Sequence, residues 1–191
     1  MDLHPAQATI LSDKHRFRVL LAGRRFGKTT LAVEEIKCLA LSREARIAYI
    51  APTYQQARDI AWQMLIKELK PPKPNESRLE FKIGKSLVQL RGWEAIETLR
   101  GQHFDFIVID EVAMMRNFWL NWEEVIRPTL TDTKGEVMFI STPKGFNHFY
   151  DLFNKEKDDS DYKSFHYTSY DNPHLPVAEL DKAKEELPED R

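Results

Sequence analysis

The sequence predicts an α/β fold in which helices flank a mostly parallel central sheet. Three observations support this prediction. Continuous apolar strands alternate with helical patterns along the 191 residues. A turn that contains glycine joins the first apolar strand to a long helix, and a later apolar strand ends in two adjacent carboxylates. Because parallel strands present their carboxyl ends at one edge of a sheet, both features are expected at the same edge.

The individual elements follow from apolar runs and apolar spacing. Apolar runs predict strands at Phe17–Ala22, Arg46–Ala51, 104–110, Glu136–Ser141 and 165–168. Gly84 and Lys85 separate two short alternating segments, which predicts an inserted hairpin within residues 76–92. Helical spacing predicts helices at 29–41, 54–69, 119–125, 147–154 and 177–187.

Composition narrows the class of protein. Hydrophobic residues make up 42% of the chain and charged residues 30%, as in ordinary globular proteins. No apolar run is long enough to cross a membrane, and the N-terminus lacks the pattern of a signal peptide. The single cysteine, Cys38, cannot form an internal disulfide, and its helical context predicts a place in the core.

The net charge of −2 gives little support for a nucleic-acid partner. Residues 151–191 carry twelve acidic and six basic side chains, so that segment has a charge of −6 and residues 1–150 have +4. A basic body is compatible with a DNA-facing surface, and equally with charges that are simply solvated.

The run from Gly23 to Thr30 predicts a loop that binds the phosphates of a nucleotide. Its members are Gly23, Arg24, Arg25, Phe26, Gly27, Lys28, Thr29 and Thr30. Glycines let backbone N–H groups face the phosphates, the lysine reaches the β- and γ-phosphates, and Thr29 offers its hydroxyl to Mg²⁺. The loop departs from the usual motif because Ala22 replaces the first glycine and two arginines occupy the turn.

The strand that ends in Asp110 and Glu111 is the second nucleotide signal. At the end of a parallel strand Asp110 can hold the Mg²⁺ that Thr29 also contacts, and Glu111 can deprotonate the attacking water. Alone, such a pair is more often a solvated acidic turn. Together with the phosphate loop it predicts hydrolysis of ATP or GTP.

Two further sites have competing interpretations. Ser141 and Thr142 end an apolar strand before Pro143, so they either sense the γ-phosphate or form an ordinary turn. A loop arginine can neutralise charge in the transition state or can be solvated, and Arg24 is favoured over Arg25 for the catalytic role.

These motifs, in this order, resemble the ATPase domain of the large terminase subunit, the motor that packages double-stranded DNA into tailed-phage capsids. The resemblance covers nearly the whole chain and rests on the phosphate loop with its arginines, Asp110-Glu111, and Ser141-Thr142-Pro143 as the coupling motif. Weaker matches are His4-Pro5-Ala6-Gln7, residues 51–57, Leu99-Arg100-Gly101 and Tyr170-Asp171-Asn172-Pro173.

The resemblance implies roles that the residues alone do not establish. Gln7 would read the adenine edge, and Arg100 would act as an arginine finger in the neighbouring subunit, although a surface cap is an equal alternative. The family fold is a P-loop NTPase of the RecA-like, ASCE type, with the coupling strand between the phosphate-loop strand and the acidic strand. It also implies a small C-terminal lid-like subdomain.

The family also implies a domain plan and partners. Residues 1–175 would form the ATPase domain, and 176–191 a helix that leads to a nuclease domain beyond Arg191, so this chain is expected to hydrolyse ATP without cutting DNA. Expected partners are double-stranded DNA, the portal protein and the small terminase subunit, with no membrane. The active form would be a homo-oligomeric ring, and the isolated fragment a ring or a monomer, in the host cytoplasm and at the portal vertex.

Two other functions fit part of the pattern. A helicase-like translocase shares the phosphate loop and acidic pair but needs a second RecA-like domain. A nucleotide-dependent switch would bind without turnover, and Glu111 argues against it. The DNA-contacting surface, the source phage and the type of DNA end produced are left open by the sequence.

Overall fold

The computed structural model describes residues 2–185. Its centre is a seven-stranded sheet in the order β3-β4-β2-β5-β6-β1-β7. The strands are β1 Phe17–Ala22, β2 Arg46–Ala51, β3 Glu80–Ile83, β4 Ser86–Gly92, β5 Phe106–Ile109, β6 Glu136–Ser141 and β7 Tyr162–Tyr167. All neighbouring pairs are parallel except β3 with β4, so the predicted α/β class with an added antiparallel hairpin is confirmed.

Six helices connect or flank these strands in the described part of the chain. They are α1 Pro5–Ser12, α2 Lys28–Ser42, α3 (consecutive segments Tyr54–Gln56, Ala57–Trp62 and Gln63–Leu69), α4 (Phe118–Asn121, Trp122–Ile126 and Arg127–Thr129), α5 His148–Asn154 and α6 Val177–Glu185. The middle segments of α3 and α4 are π-helical. Short 3-10 turns lie at Trp93–Leu99, Val112–Met114, Lys155–Lys157 and Ser169–Asp171.

Each central strand is buried on both faces, which is why its sequence is continuously apolar. Alternate residues point to opposite sides, so Leu20 and Val108 pack in the core under α1, α2 and α3. Val19 and Ile109 pack in the opposite core, against α4 and α5. The two cores fix the height of every strand and therefore the edge at which each strand ends.

The strand order carries the functional consequence of the fold. β6 lies between β1 and β5, with Leu21 paired to Ser141 and Ile109 paired to Phe139. This confirms the position expected for the coupling strand. The phosphate loop, the acidic pair and the coupling motif therefore all follow strand ends at one edge of the sheet.

Some local predictions differ from the structure. Helix α1 is not predicted by periodicity, and β7 begins at Tyr162, before the predicted start at 165. Cys38 is exposed and not in the core, because α2 turns Ile36 and Ala40 inward, and the residue midway between them faces outward. The predicted last two residues of the final helix, at 186 and 187, lie outside the described residues.

Of the predicted lid-like subdomain, the described residues contain the 3-10 turn Ser169–Asp171 and helix α6. No helix among residues 2–185 has the length and apolar character needed to span a membrane.

Candidate functional site

The phosphate loop links β1 to α2 in a backbone conformation that its sequence permits. Gly27 has φ of +94°, where other residues are strained, and a Cβ there would lie 2.5 Å from Gln7 Nε2. Arg25 also has a positive φ, of 62°. Helix α2 then begins at Lys28, so the loop opens directly onto a helix N-terminus, where backbone N–H groups favour anions.

Lys28 reaches back across this loop and is almost fully buried. Its Nζ donates to the carbonyls of Ala22 at 3.0 Å and Gly23 at 3.1 Å, and to Thr142 Oγ1 at 3.0 Å. Burial lowers the pKa of Lys28, while the nearby charges of Glu111 and Asp110 raise it. The ammonium is thus held at the meeting point of the loop, the acidic pair and the coupling motif.

Asp110 follows the last residue of β5 and is buried. One carboxylate oxygen accepts a hydrogen bond from the Tyr49 phenol, and the other accepts one from the Glu111 N–H at 2.9 Å. Burial raises the pKa of Asp110 to about 6, although both hydrogen bonds favour the ionised form. The carboxylate is therefore aimed by two donors but is costly to ionise.

Thr29 and Asp110 fit a magnesium site. The Tyr49 phenol that donates to Asp110 also interacts with the Thr29 side chain, so the hydroxyl and the carboxylate lie on either side of one group. Within residues 2–185 there is no cluster of three or more His, Cys, Asp or Glu side chains that could hold a metal. Mg²⁺ suits such a sparse oxygen site because it keeps several waters and takes further ligands from phosphates.

Glu111 is held by the coupling motif. Thr142 Oγ1 donates to Glu111 Oε1 at 3.2 Å and accepts from Lys28, so Thr142 joins the loop lysine to the candidate base. Glu111 itself adopts left-handed backbone angles, φ 52° and ψ 45°, which are unusual for a glutamate. The structure thus brings Lys28, Thr142 and Glu111 into one hydrogen-bonded chain.

The turn after Glu111 has two supports that sequence reasoning missed or only partly assigned. Ser141 Oγ accepts a hydrogen bond from Ala113 N at 3.2 Å. His148 Nε2 lies 2.6 Å from the Val112 carbonyl, and its ring stacks on Phe118. Ser141 is thus placed to hold the acidic turn, whereas contact with a phosphate is not required to explain its burial.

Gln7 lies against the phosphate loop. Its Oε1 accepts from His4 N at 3.0 Å and its Nε2 donates to the Gly27 carbonyl at 2.9 Å. His4 Nε2 lies 3.0 Å from the Phe26 carbonyl, and the Phe26 ring is fully buried between His4 and Tyr167. The N-terminal segment therefore braces the loop, and adenine reading by Gln7 stays a prediction.

The arginines occupy different environments. Arg24 and Arg25 are exposed, and only the charge of Arg24 is among the main influences on Lys28. Arg100 lies apart from the site, with its guanidinium bonded to Glu97 at 2.8 Å and to the Glu124 carbonyl at 3.1 Å. Thr30 is half-buried in the first turn of α2.

Tyr49 is a site residue that the sequence analysis missed. A tyrosine in the middle of a buried strand needs a partner for its hydroxyl, and that requirement was the available signal. Burial and the Asp110 charge raise the pKa of Tyr49, so the phenol remains a donor. His148 carried no comparable signal, because its partner is a backbone carbonyl distant in sequence.

Comparison with known proteins shows where these features recur. The family model "Terminase large subunit, T4likevirus-type, N-terminal" matches residues 19–191. The large terminase subunit of Escherichia phage T5 is 29% identical over 179 residues, which cover 90% of this chain and 41% of that protein. This chain thus spans less than half the length of that curated relative.

Solved structures extend the comparison to the fold. The large terminase ATPase domain of Thermus phage P74-26 matches with a TM-score of 0.80 and 25% identity, covering 98% of this chain and 90% of that one. The large terminase of another thermophilic bacteriophage, in complex with ATPγS, matches with a TM-score of 0.77 and 18% identity, covering 96% of this chain and 49% of that one. The P-loop ATPase fold expected from the sequence is therefore confirmed.

The family match spans far more than half of the sequence, and it agrees with the strand order and the solved ATPase domain. The chain belongs to the terminase large subunit family.

Proposed function

We propose that this chain hydrolyses ATP to ADP and phosphate at the edge formed by β1, β6 and β5. The observation that carries the proposal is the hydrogen-bonded chain Lys28–Thr142–Glu111, which joins a phosphate-binding lysine to a carboxylate that can act as base. The ATPγS bound to the large terminase of the thermophilic bacteriophage supports a nucleoside triphosphate as the ligand.

Each residue has a distinct task in this mechanism. The loop amides and Lys28 bind the β- and γ-phosphates, and Arg24, whose charge already acts on Lys28, offsets charge that spreads over the γ-phosphoryl group. Glu111 accepts a proton from the attacking water. Thr142, which donates to Glu111, would shift that bond when the phosphate leaves.

Magnesium would be held by Thr29 and Asp110, with the remaining ligands from water and phosphate oxygens. When bound, it supplies positive charge that neutralises the phosphates. The two donors to Asp110, Tyr49 and the Glu111 N–H, keep the carboxylate in one orientation for this role.

In the full-length protein we propose that hydrolysis drives double-stranded viral DNA into a procapsid. Family membership supports this, and with it a role for the portal protein and the small terminase subunit in the host cytoplasm. Residues 1–175 would form the motor domain and 176–191 a connection to the remainder of the protein. We further propose that Arg100 acts in trans within a homo-oligomeric ring.

We expect Glu111→Gln to reduce kcat for ATP by about 100-fold to 10,000-fold, because the general base is lost. Glutamine retains an oxygen that accepts from Thr142, so the dissociation constant for ATP should change by less than about threefold. Steady-state phosphate release and equilibrium titration measure the two quantities. The exposed Glu123→Gln is the matched control, and near-normal turnover by Glu111→Gln would refute the proposed base.

We expect Arg100→Ala to lower ATP turnover of the assembled protein by about a thousandfold, as an arginine finger should. Nucleotide affinity should hardly change, because Arg100 makes no contact with the phosphate loop of its own chain in the contacts above. Turnover is measured over a range of protein concentrations. Arg78→Ala, an exposed arginine that pairs with Glu80, serves as control; normal activity of Arg100→Ala would exclude the finger.

Asp110→Asn should stabilise the nucleotide-free protein at neutral pH. The folded-state pKa of Asp110, about 6, exceeds its ordinary 3.8, so its contribution to stability falls as pH rises between these values and is then constant. The shift corresponds to about 3 kcal/mol above pH 6. Urea unfolding at pH 8 should therefore favour the variant, with a smaller difference at pH 4.5.

The exposed Asp132→Asn provides the comparison for this stability test. An equal difference at both pH values would show that ionisation of Asp110 is not the cause.

Packaging and helicase activity predict different responses. In the full-length protein, ATP turnover should rise several-fold with a procapsid that carries its portal, because the motor works against that vertex. Forked DNA alone should have little effect. Stimulation by forked DNA together with strand separation would instead support the helicase-like alternative.

A further inference from the structure

The phosphate loop is also bonded to the segment that follows β7. Ser169 Oγ donates to the Arg24 carbonyl at 2.7 Å, and Asn172 Nδ2 donates to the Arg25 carbonyl at 2.8 Å. Just before them, Gly23 N donates to the Tyr167 carbonyl at 3.1 Å. Three successive loop residues are therefore tied to residues more than 140 positions later in the chain.

These bonds orient the peptide planes that matter for phosphate binding. In a planar trans peptide the C=O and the following N–H point in opposite directions. Fixing the Arg24 carbonyl on Ser169 therefore aims the Arg25 N–H the other way. Fixing the Arg25 carbonyl on Asn172 holds the Phe26 N–H, which turns back toward the Gly23 carbonyl at 3.4 Å. The same two bonds set where the arginine side chains leave the loop.

The anchoring segment is itself ordered by local hydrogen bonds. Asp171 accepts from the Thr168 N–H at 2.6 Å and hydroxyl at 2.8 Å, and these bonds lower the pKa of Asp171. Asn172 Oδ1 accepts from His174 N at 3.0 Å, which turns its NH₂ group toward the loop. The donors are thus fixed before a ligand binds.

The close fit at Gly23 shows how tightly this segment lies on the loop. A Cβ at Gly23 would lie 2.6 Å from Ser169 Oγ and 2.7 Å from Ser169 N. A side chain there would displace the 3-10 turn. Gly23 is needed for close approach of the turn, in addition to any contact with phosphate.

The turn is connected onward to the last described helix. The Tyr170 hydroxyl donates to Asp181 Oδ1 in α6 at 2.9 Å. A shift of the loop would therefore move Ser169 and Asn172, and through Tyr170 it would reach α6. By thermodynamic linkage, the segment must influence nucleotide affinity to the same extent that nucleotide influences the segment.

We propose that Ser169 and Asn172 are positioning residues of the phosphate loop, and that through them nucleotide binding orders residues 168–185. The inference rests on the proposed nucleotide site. It assigns to this C-terminal segment a part in the site that its distance in sequence conceals, and it makes the segment a reporter of nucleotide occupancy.

Asn172→Asp tests the proposal directly. Aspartate keeps the acceptor for His174 N but removes the donor and places a carboxylate oxygen against the Arg25 carbonyl. The loss of the hydrogen bond and the new repulsion should weaken ADP binding by about tenfold. Asn154→Asp is the matched control, because Asn154 is also an asparagine whose amide donates to a backbone carbonyl, that of Tyr150 at 2.8 Å.

Hydrogen exchange supplies the readout that a purely structural role would not change. Saturating ADP should slow amide exchange in residues 169–174 several-fold in the wild type and in Asn154→Asp, and clearly less in Asn172→Asp at its own saturating concentration. Ser169→Ala, a milder change, should weaken ADP binding by about threefold and reduce the exchange response. It keeps the test open if Asn172→Asp folds poorly.

The outcomes separate the two proposals. Wild-type protein that binds no ADP would overturn the proposed nucleotide site itself. ADP binding by the wild type, with unchanged affinity and unchanged exchange response in Asn172→Asp or Ser169→Ala, would overturn the positioning role alone.

Discussion

The position of β6 between β1 and β5 is the constraint on which the site depends. Parallel pairing places the ends of these three strands side by side, and two apolar cores hold them at a common height. Lys28, Thr142 and Glu111 belong to segments separated by up to 114 positions, yet they form one hydrogen-bonded chain. The sheet thus performs the long-range assembly, and the loops only have to place side chains over short distances.

Around this edge, the chain combines burial of charge with many weak supports. Asp110 and Lys28 are removed from water, which costs free energy, and their pKa values shift in the directions that burial imposes. Tyr49 and the coupling motif recover part of that cost through hydrogen bonds. Such an arrangement is oriented before phosphate binds, which is the condition for efficient electrostatic stabilisation of a transition state.

The parts predictable from sequence are those whose physics is local. Strands β1, β2 and β6 were predicted with correct bounds, since each is a continuous apolar run between turn residues. The start of β7 was missed because an edge strand is only partly buried and its residues alternate irregularly. Tyr49 and His148 were missed because their partners come from other strands or helices, and Cys38 was misplaced because α2 buries only one side.

The backbone of Glu111 has a consequence for how functional residues are recognised. Its left-handed angles suit glycine or asparagine better than glutamate, so folding alone would select a different residue. A long acidic side chain kept at such a position costs stability and is retained only if its carboxylate is used. Disagreement between a residue and its own backbone angles is therefore a signature of chemistry that can be read from one chain, without any comparison of sequences.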